Sequence, residues 1–263
     1  MIDTEKLLSV AKEAALEAGE IQLAYFGKKK EISHKFNQFD LVTNADKLAE
    51  EKILSVIKGH FHDHGFLGEE SGSYKSESDY IWVIDPIDGT TNYAHNFPHF
   101  AVSIGLLYQG KIYLGVVYDA VKNEMFWAAE GMGAYLNADN INVSSIDALN
   151  KSLLATGFPY NRDNILEENI RYFTKFLYEA QAVRRPGSAS LDMCYVACGR
   201  LDGFWELNLA PWDITAAACI IKEASGKVSN FGTDNFDIHI KNIIATNGLL
   251  HSKITEIIES LRP

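Results

Sequence analysis

Residues 80–92 read YIWVIDPIDGTTN, an apolar run followed by two aspartates and a glycine-threonine turn. The run Tyr80–Ile84 has the aromatic and β-branched composition of a strand. After it, the carboxylates of Asp85 and Asp88 stand three residues apart in a turn, where they can converge on one cation together with the carbonyl oxygen of Ile87. Hard oxygen donors of this kind suit Mg²⁺ or Mn²⁺ rather than zinc.

The next residues predict an anion-binding turn. Gly89, Thr90 and Thr91 look like the start of a helix, where free main-chain N–H groups can hold a phosphate. Metal ligands beside such a turn form a phosphoryl-transfer arrangement. An isolated Asp-x-x-Asp-Gly, however, is more often a strand-end aspartate that caps a turn, with glycine present for its backbone freedom.

Two further acidic segments favour the metal site over the turn-capping interpretation. Glu69 follows the short apolar run of residues 65–67, at another predicted strand end. Asp213 follows Pro211-Trp212 at the start of a predicted helix. Taken alone, Glu69 could lie in a solvated loop, and Asp213 could be a carboxylate that the helix dipole favours. Together the three segments supply the acidic ligands of a site for two or three metal ions.

The wider pattern mixes helices and strands in both halves of the chain and predicts an α+β protein. Apolar periodicity predicts helices over residues 3–25, 43–58, 164–180, 189–198, 212–224 and 249–261, and strands over 80–84, 101–108, 111–118, 124–129, 152–156, 182–185, 203–206 and 242–246. Short turns between three consecutive strands predict an antiparallel sheet. Since no Pro- or Ser-rich linker interrupts the chain, we expect two closely packed halves, residues 1–145 and 146–263.

Composition narrows the classes of function. The chain has 263 residues, 47% of them hydrophobic, and a formal net charge of −11. Its apolar runs are too short to cross a membrane, its first residues do not resemble a signal peptide, and its three cysteines are no disulfide scaffold. We therefore expect a cytoplasmic protein without direct nucleic-acid binding. An acidic protein can still act on an anionic substrate when metal cations lie between them.

One other segment invites a metal interpretation. Residues 59–64 read GHFHDH, and alternating histidines can bind zinc. The spacing is one residue short of a His-x-His-x-Asp-His arrangement, and no downstream histidine-rich segment completes it. A polar connection between a helix and a strand is therefore the favoured interpretation.

In four segments the sequence resembles the inositol monophosphatase family. Residues 85–93, DPIDGTTNY, resemble the first signature of the family, and Trp212-Asp213 resembles the core of the second. Residues 68–70 resemble its metal-binding glutamate segment, and residues 40–46, DLVTNAD, its Asp-Leu-Val-Thr-x-x-Asp segment. Their order and spacing fit from end to end, so the resemblance covers essentially the whole chain.

The resemblance implies a layered αβαβα sandwich with an antiparallel N-terminal sheet and a mixed C-terminal sheet. Most metal ligands would lie in the first half, and the substrate loop and Asp213 in the second. The implied cofactor is Mg²⁺, two or three ions per site, with Mn²⁺ as a substitute. The implied ligands are the side chains or carbonyl of Glu69, Asp85, Ile87, Asp88 and Asp213.

The resemblance also implies catalytic roles. The Thr90 hydroxyl and Glu69 would position and deprotonate a metal-activated water, with Asp46 holding Thr90 in place. Phosphate would rest on the main-chain N–H groups of Gly89 and Thr90. Lys35 matches a family position near the third metal.

Substrate recognition is expected mainly from the second half. Residues 184–190 resemble the substrate loop of the family, and Glu206 matches a position that accepts hydrogen bonds from a polyol hydroxyl. Arg185 could reach a second anionic group or make a structural pair. The expected substrate contacts are Gly89, Thr90, Arg185, Gly187, Ser188, Ala189, Glu206 and Asp213. After Asp213 the chain reads Ile214-Thr215-Ala216-Ala217, where many relatives carry smaller residues, a departure that bears on helix packing.

The function that the resemblance implies is hydrolysis of a small phosphorylated polyol, myo-inositol monophosphate, to inositol and phosphate. Fructose 1,6-bisphosphate, a nucleotide such as an adenosine bisphosphate or NADP, and histidinol phosphate are alternatives within the same chemistry. An accessory binding role in the transcription machinery is an alternative of another class. Relatives are commonly homodimers, and lithium inhibition is expected because Li⁺ can replace Mg²⁺.

Overall fold

The computed structural model describes residues 3–28, 32–34, 41–74, 76–159 and 164–262. Its helices are α1 (Thr4–Tyr25), α2 (Asn44–His60), α3 (Thr90–Ala94), α4 (Asn164–Glu179), α5 (Ala189–Ala197), α6 (Pro211–Glu223) and α7 (His251–Leu261), with a 3₁₀ turn at Leu149–Lys151. Its strands are β1 (Ile32–His34), β2 (Leu41–Thr43), β3 (Gly65–Gly68), β4 (Gly72–Tyr74), β5 (Tyr80–Asp88), β6 (Ala101–Tyr108), β7 (Lys111–Asp119), β8 (Glu124–Ala129), β9 (Ala134–Leu136), β10 (Asp139–Ile141), β11 (Leu153–Thr156), β12 (Ala182–Arg184), β13 (Gly203–Leu207), β14 (Lys227–Ser229) and β15 (Asn242–Thr246).

These elements form five layers, as the αβαβα prediction requires. Helices α1 and α2 cover one face of an eight-stranded sheet, and α5 and α6 lie between this sheet and a five-stranded one. Helices α4 and α7 cover the outer face of the smaller sheet. Each sheet is therefore covered on both faces, which explains why its central strands are apolar on both sides.

The larger sheet has the strand order β10-β9-β8-β7-β6-β5-β3-β4. The predicted meander is antiparallel, but β3 pairs with β5 in parallel, with Gly65 opposite Ile81 and Gly68 opposite Ile84. The parallel pair arises because the chain passes along the outer edge through β4 before it returns to β5. This sheet is consequently mixed rather than purely antiparallel.

The smaller sheet has the order β12-β11-β13-β15-β14 and is mixed, as predicted. Strand β11 pairs in parallel with β12 and β13, whereas β15 pairs antiparallel with β13 and β14. Strand β13 occupies the centre of the sheet. Glu206 therefore stands on an interior strand and not on an exposed edge.

Helix α6 connects the two sheets. It contacts β5 to β8 of the larger sheet and also β14 and β15 of the smaller one. Its approach to β7 is so close that a Cβ atom on Gly115 would lie 2.1 Å from the carbonyl oxygen of Ala216. Ile214, Thr215, Ala216 and Ala217 are all buried in this contact layer, so the departure from smaller residues is accommodated without loss of packing.

The helix boundaries agree with the sequence analysis to within about two residues, as is usual for helix ends. Strand β5, by contrast, runs four residues past its predicted end, and the short strands β4, β9 and β10 had no counterpart in the sequence analysis. Because α6 joins both sheets, the division of the chain near residue 145 stays a prediction. Among the described residues, no helix has the length and apolarity needed to span a membrane.

Candidate active site

Asp85 and Asp88 lie in a bulge of strand β5. The strand continues past the predicted end to Asp88, and its pairing with β6 shifts register between the two aspartates. A bulge bends a strand and re-aims its side chains. The main-chain N–H of Ile87 donates to Asp85 Oδ1 at 2.9 Å and holds the first carboxylate across the bend. The segment of residues 85–88, predicted as a turn, is therefore part of the sheet, and its pairing with neighbouring strands restrains it.

Helix α6 brings the third aspartate to the same place. Asp213 stands in the first turn of α6, and its Oδ2 accepts a hydrogen bond from the Ala210 N–H at 2.7 Å. One oxygen from each of Asp85, Asp88 and Asp213 lies within 4.8 Å of the others. Among the described residues, this is the only group of three or more acidic, His or Cys side chains arranged to hold a metal ion.

Glu69 approaches from the end of β3. Its main-chain N–H donates to the Ile84 carbonyl at 3.1 Å, which extends the parallel pairing with β5 by one step. This places the Glu69 carboxyl within hydrogen-bonding reach of the Asp85 carboxyl. The parallel pairing thus unites two acidic segments that are 16 residues apart in sequence.

The electrostatics of the cluster favour a bound cation. Burial is the largest cause that raises the pKa of Asp85 well above its usual range, and the charges of Glu69, Asp88 and Asp213 add to it. Burial, followed by the charges of Asp88 and Glu69, likewise raises the pKa of Asp213. Buried like charges are unfavourable unless a cation or protons neutralise them. Carboxylate oxygens with a main-chain carbonyl beside them fit a hard divalent ion.

Asp88 is held from behind by the start of helix α5. Its Oδ2 accepts hydrogen bonds from the Ser190 N–H at 2.7 Å and from the hydroxyls of Ser188 and Ser190 at 2.5 Å each. Burial raises the pKa of Asp88, and these hydrogen bonds oppose the rise. The Ser188 hydroxyl thus serves Asp88 in this structure, and its contact with a substrate stays a prediction.

Thr90 is held by α2. Its hydroxyl lies 3.1 Å from Asp46 Oδ1 and 2.9 Å from the Ile87 carbonyl oxygen, both acceptors. The other carboxylate oxygen of Asp46 accepts hydrogen bonds from the Thr43 N–H at 2.8 Å and from its hydroxyl at 2.6 Å. This capping box at the start of α2 fixes Asp46. The hydroxyl of Thr90 therefore directs its proton to Asp46 or to the Ile87 carbonyl, and its lone pairs remain to accept a hydrogen bond.

The backbone conformation at residue 89 requires glycine. It has φ of +94° and precedes α3, and a Cβ atom there would lie 3.1 Å from the carbonyl oxygens of both Gly187 and His99. Only glycine adopts this conformation readily. Residue 89 therefore lies directly against the 184–190 loop.

One pocket contains almost all the predicted site residues. It is lined by Glu69, Asp85, Ile87, Asp88, Gly89, Thr90, Arg185, Gly187, Ala189, Glu206 and Asp213, together with the unpredicted Gly157, Phe158 and Leu209. Asp46 and Ser188 stand behind its wall and hold Thr90 and Asp88. Lys35 and Asp40 lie outside the described residues.

Glu206 lines the same pocket. Burial raises its pKa to about 8, the charge of Asp192 adds to this rise, and the cation of Arg185 opposes it. A carboxyl group can donate a hydrogen bond when protonated and accept one in either form. Glu206 and Arg185 therefore give the pocket a polar, hydroxyl-binding character.

Two supporting contacts near the site were not predicted from the sequence. The amide of Gln22, buried in α1, donates to the Pro86 carbonyl at 2.8 Å. Asp192 Oδ1 and His99 Nε2 lie 3.1 Å apart behind the 184–190 loop. Gln22 alone left a local signal, a polar residue on the apolar stripe of a predicted helix. The others show no pattern because their partners are distant in sequence.

The histidine segment has a structural explanation. His64 Nδ1 accepts a hydrogen bond from Trp82 Nε1 at 3.0 Å, and its ring stacks on Phe61 and Tyr80, with 4.6 Å between ring centroids in each case. His64 is buried, whereas His60 and His62 are exposed. The favoured interpretation as a connection between a helix and a strand agrees with this packing.

Comparisons with known proteins agree with the geometry. The Inositol monophosphatase family matches residues 3–262. An inositol-1-monophosphatase from Synechocystis sp. is 44% identical over 97% of this chain and 89% of its own length. A Nus factor SuhB from Pseudomonas aeruginosa is 39% identical over 92% of each chain. The solved structure of an inositol monophosphatase from Anabaena (Nostoc) sp. superposes with a TM-score of 0.90, 41% identity and coverage of 100% of this chain and 98% of that chain.

The carboxylate cluster predicts an unusual stability profile for Asp85→Asn. Because the pKa of Asp85 is raised in the folded state, its ionisation costs stability as pH rises from about 4, the unfolded value, through the raised value. In metal-free protein at pH 8 we expect the variant to melt about 2–4 °C above the unchanged protein, as for ~1 kcal/mol in a chain of this size. Near pH 4 the two should converge. Differential scanning calorimetry with and without a chelator measures this.

Asp63→Asn is the matched control, since Asp63 is exposed and the charge change is the same. Added Mg²⁺ should raise the melting temperature of the control and of the unchanged protein, but not of Asp85→Asn. A lower melting temperature for metal-free Asp85→Asn, or undiminished stabilisation by Mg²⁺, contradicts the account of the cluster.

Proposed function

The chain belongs to the inositol monophosphatase family and is a phosphoric monoester hydrolase, and on this premise we propose that it hydrolyses myo-inositol monophosphate with Mg²⁺ as its metal. One observation carries the proposal. The oxygens of Asp85, Asp88 and Asp213 converge within 4.8 Å in a pocket that Glu206 and Arg185 also line. Such a pocket can bind a phosphate at the acidic cluster and the hydroxyls of a polyol at Glu206.

The donor set supports a hard divalent cation. We assign Glu69, Asp85, Asp88 and Asp213 as carboxylate ligands and Ile87 as a carbonyl ligand. Buried carboxylates would repel a phosphate dianion unless cations lie between them. Bound Mg²⁺ ions, two or three per site, would supply Lewis-acid activation of water and neutralisation of the leaving oxygen.

The residues of the chain would position the reacting water. Thr90 donates its hydroxyl proton to Asp46 Oδ1 at 3.1 Å or to Ile87 at 2.9 Å, so its oxygen can accept a hydrogen bond from water. Glu69 would take the proton of that water as it attacks phosphorus. The main-chain N–H groups of Gly89 and Thr90, at the start of α3, would hold the phosphate oxygens.

Glu206, Arg185 and the 184–190 loop would select the alcohol. Glu206 would exchange hydrogen bonds with hydroxyls of the ring, and Gly187 and Ala189 would form the wall against which the ring rests. Arg185 would contact the same part of the substrate. Two polar groups in the same pocket as the acidic cluster suit a small polyol better than a nucleotide base, for which the described pocket offers little aromatic surface beyond Phe158.

Other properties are proposals that rest on the resemblance. We propose a cytoplasmic homodimer that lithium inhibits, with Mn²⁺ able to substitute for Mg²⁺. The three cysteines are free, as expected in a reducing compartment. A contact with the transcription machinery is a second candidate role, favoured by the name of the Pseudomonas aeruginosa relative.

A substrate panel tests the proposed activity. Phosphate release should be measured from myo-inositol monophosphate, fructose 1,6-bisphosphate, an adenosine bisphosphate, NADP and histidinol phosphate, each with Mg²⁺ and with a chelator. We expect the highest kcat/KM for myo-inositol monophosphate, by about tenfold or more, the ratio that one well-made contact of ~1.4 kcal/mol provides. The chelator should abolish release in every case.

Asp85→Asn serves as the inactive control and Asp63→Asn as the active one. Release from none of these compounds contradicts the enzymatic proposal. A preference for another compound of the panel retains the chemistry and replaces the substrate.

Glu206→Ala tests the proposed end of the pocket for the alcohol. Loss of a hydrogen bond to a polyol hydroxyl should raise the KM for myo-inositol monophosphate about tenfold. The kcat/KM for p-nitrophenyl phosphate, which has no such hydroxyl, should change by less than about twofold. Glu256→Ala, on the exposed side of α7, is the control. An equal loss on both substrates would contradict a role in substrate selection.

A further inference from the structure

Helix α2 carries two buried carboxylates one turn apart. Asp46 is 0% exposed and Glu50 is 2% exposed. Residues four apart lie on the same face of a helix, about 6 Å apart along its axis. Buried carboxylates are stable only when other groups satisfy them. The partner of Asp46 is the proposed water-positioning residue Thr90, and the partner of Glu50 indicates a second role for the same helix face.

The Glu50 carboxylate accepts two hydrogen bonds from the turn that follows Glu69. Its Oε2 accepts a hydrogen bond from the Glu70 N–H at 2.9 Å, and its Oε1 accepts one from the Ser71 N–H at 2.7 Å. Hydrogen bonds to an ionised carboxylate are stronger than those between neutral groups. Both carboxylate oxygens are therefore engaged by the two peptide groups that come directly after Glu69.

The end of strand β3 leaves no space between this carboxylate and the main chain. A Cβ atom on Gly68 would lie 2.8 Å from Glu50 Oε2. On the other side, the Glu69 N–H is bound to the Ile84 carbonyl at 3.1 Å. Glu69 is thus held on its N-terminal side by β5 and on its C-terminal side by Glu50.

We infer that Glu50 is a positioning residue that acts through Glu69. Asp46 fixes Thr90 and Glu50 fixes the Glu69 turn, so one helix sets the separation of the two groups that would hold the attacking water. The inference rests on the proposed function of Glu69 as a metal ligand and base. When Glu50 no longer binds the turn, the Glu69 carboxylate occupies its metal-binding position for a smaller fraction of the time. Both metal affinity and turnover then fall.

Glu50→Gln is the first test. The side chain keeps its shape, but its amide group faces one of the two N–H donors, so one hydrogen bond is lost. Calorimetric titration of the metal-free protein with Mg²⁺ should show a Kd about tenfold higher, and kcat should fall about tenfold, as for other residues that orient metal ligands. KM should change by less than about threefold, because the alcohol end of the pocket is untouched.

The matched control is Glu51→Gln, the same change at the next residue of α2, which is exposed. It should bind Mg²⁺ and turn over as the unchanged protein does. If Glu50→Gln only lowers the melting temperature, with Kd and kcat equal to those of Glu51→Gln, Glu50 is a structural residue and the inference is overturned.

A double variant tests whether Glu50 acts through Glu69. If it does, Glu50→Gln combined with Glu69→Gln should bind Mg²⁺ within about twofold of Glu69→Gln alone, because coupled residues are not additive. A further tenfold loss in the double variant overturns the inference. If Glu69→Gln alone leaves Mg²⁺ binding unchanged, the proposed role of Glu69 as a metal ligand is wrong, whatever the result for Glu50.

Gly68→Ala provides an independent test if Glu50→Gln does not fold. Its methyl group must displace the Glu50 carboxylate, so Mg²⁺ affinity should fall in the same direction. Gly59→Ala, in the last turn of α2, meets nothing within 4 Å and is the control. Folded Gly68→Ala protein, checked by circular dichroism, with Mg²⁺ affinity equal to that of Gly59→Ala overturns the inference.

Discussion

Mutual repulsion of carboxylates is the constraint around which this fold is arranged. Two charges about 4 Å apart repel by ~1 kcal/mol in water and by ~4 kcal/mol near a protein surface. Asp85, Asp88 and Asp213 meet at such distances, and Glu69 adds a fourth charge. They remain together because their elements have no freedom to separate: the first two share a bulge in a central strand, and the third begins a helix packed between two sheets.

Three residues of the site are also held by side chains outside the proposed set of metal ligands. Ser190 holds Asp88, Asp46 holds Thr90, and Glu50 holds the turn of Glu69. Precise positioning by such supports lowers the reorganisation that a reaction requires. Burial of like charges in the cluster lowers the stability of the fold unless a cation or protons neutralise them.

The sequence was sufficient to predict the acidic cluster and insufficient to predict the residues that support it. Asp85, Asp88 and Asp213 stand at boundaries of strongly patterned elements, so periodicity and spacing predicted both the elements and the convergence. Glu50 and Ser190 occupy ordinary helix positions. The partners of Glu50 are 20 and 21 residues away, and that of Ser190 is 102 residues away. The bulge in β5 and the parallel pairing of β3 were not predictable either, since a local apolar pattern does not specify register or direction.

The resemblance to a known family predicted one of the supporting residues that local patterns missed. It identified Asp46 as the support of Thr90, which local propensity presents only as the first-turn acid of a helix. It offered nothing on Gln22, whose amide donates to the Pro86 carbonyl, because that contact depends on how α1 packs against the bulge of β5. Long-range packing is thus the part of the site that required three-dimensional coordinates.

The most direct test of the central claim is anomalous diffraction from crystals of the metal-free protein soaked in Mn²⁺. The account predicts a strong peak within coordination distance of carboxylate oxygens from Asp85, Asp88 and Asp213. Soaked crystals of Asp85→Asn should lack it. A peak at the histidine segment of residues 59–64 instead, or no peak at the aspartates under saturating Mn²⁺, would contradict the account.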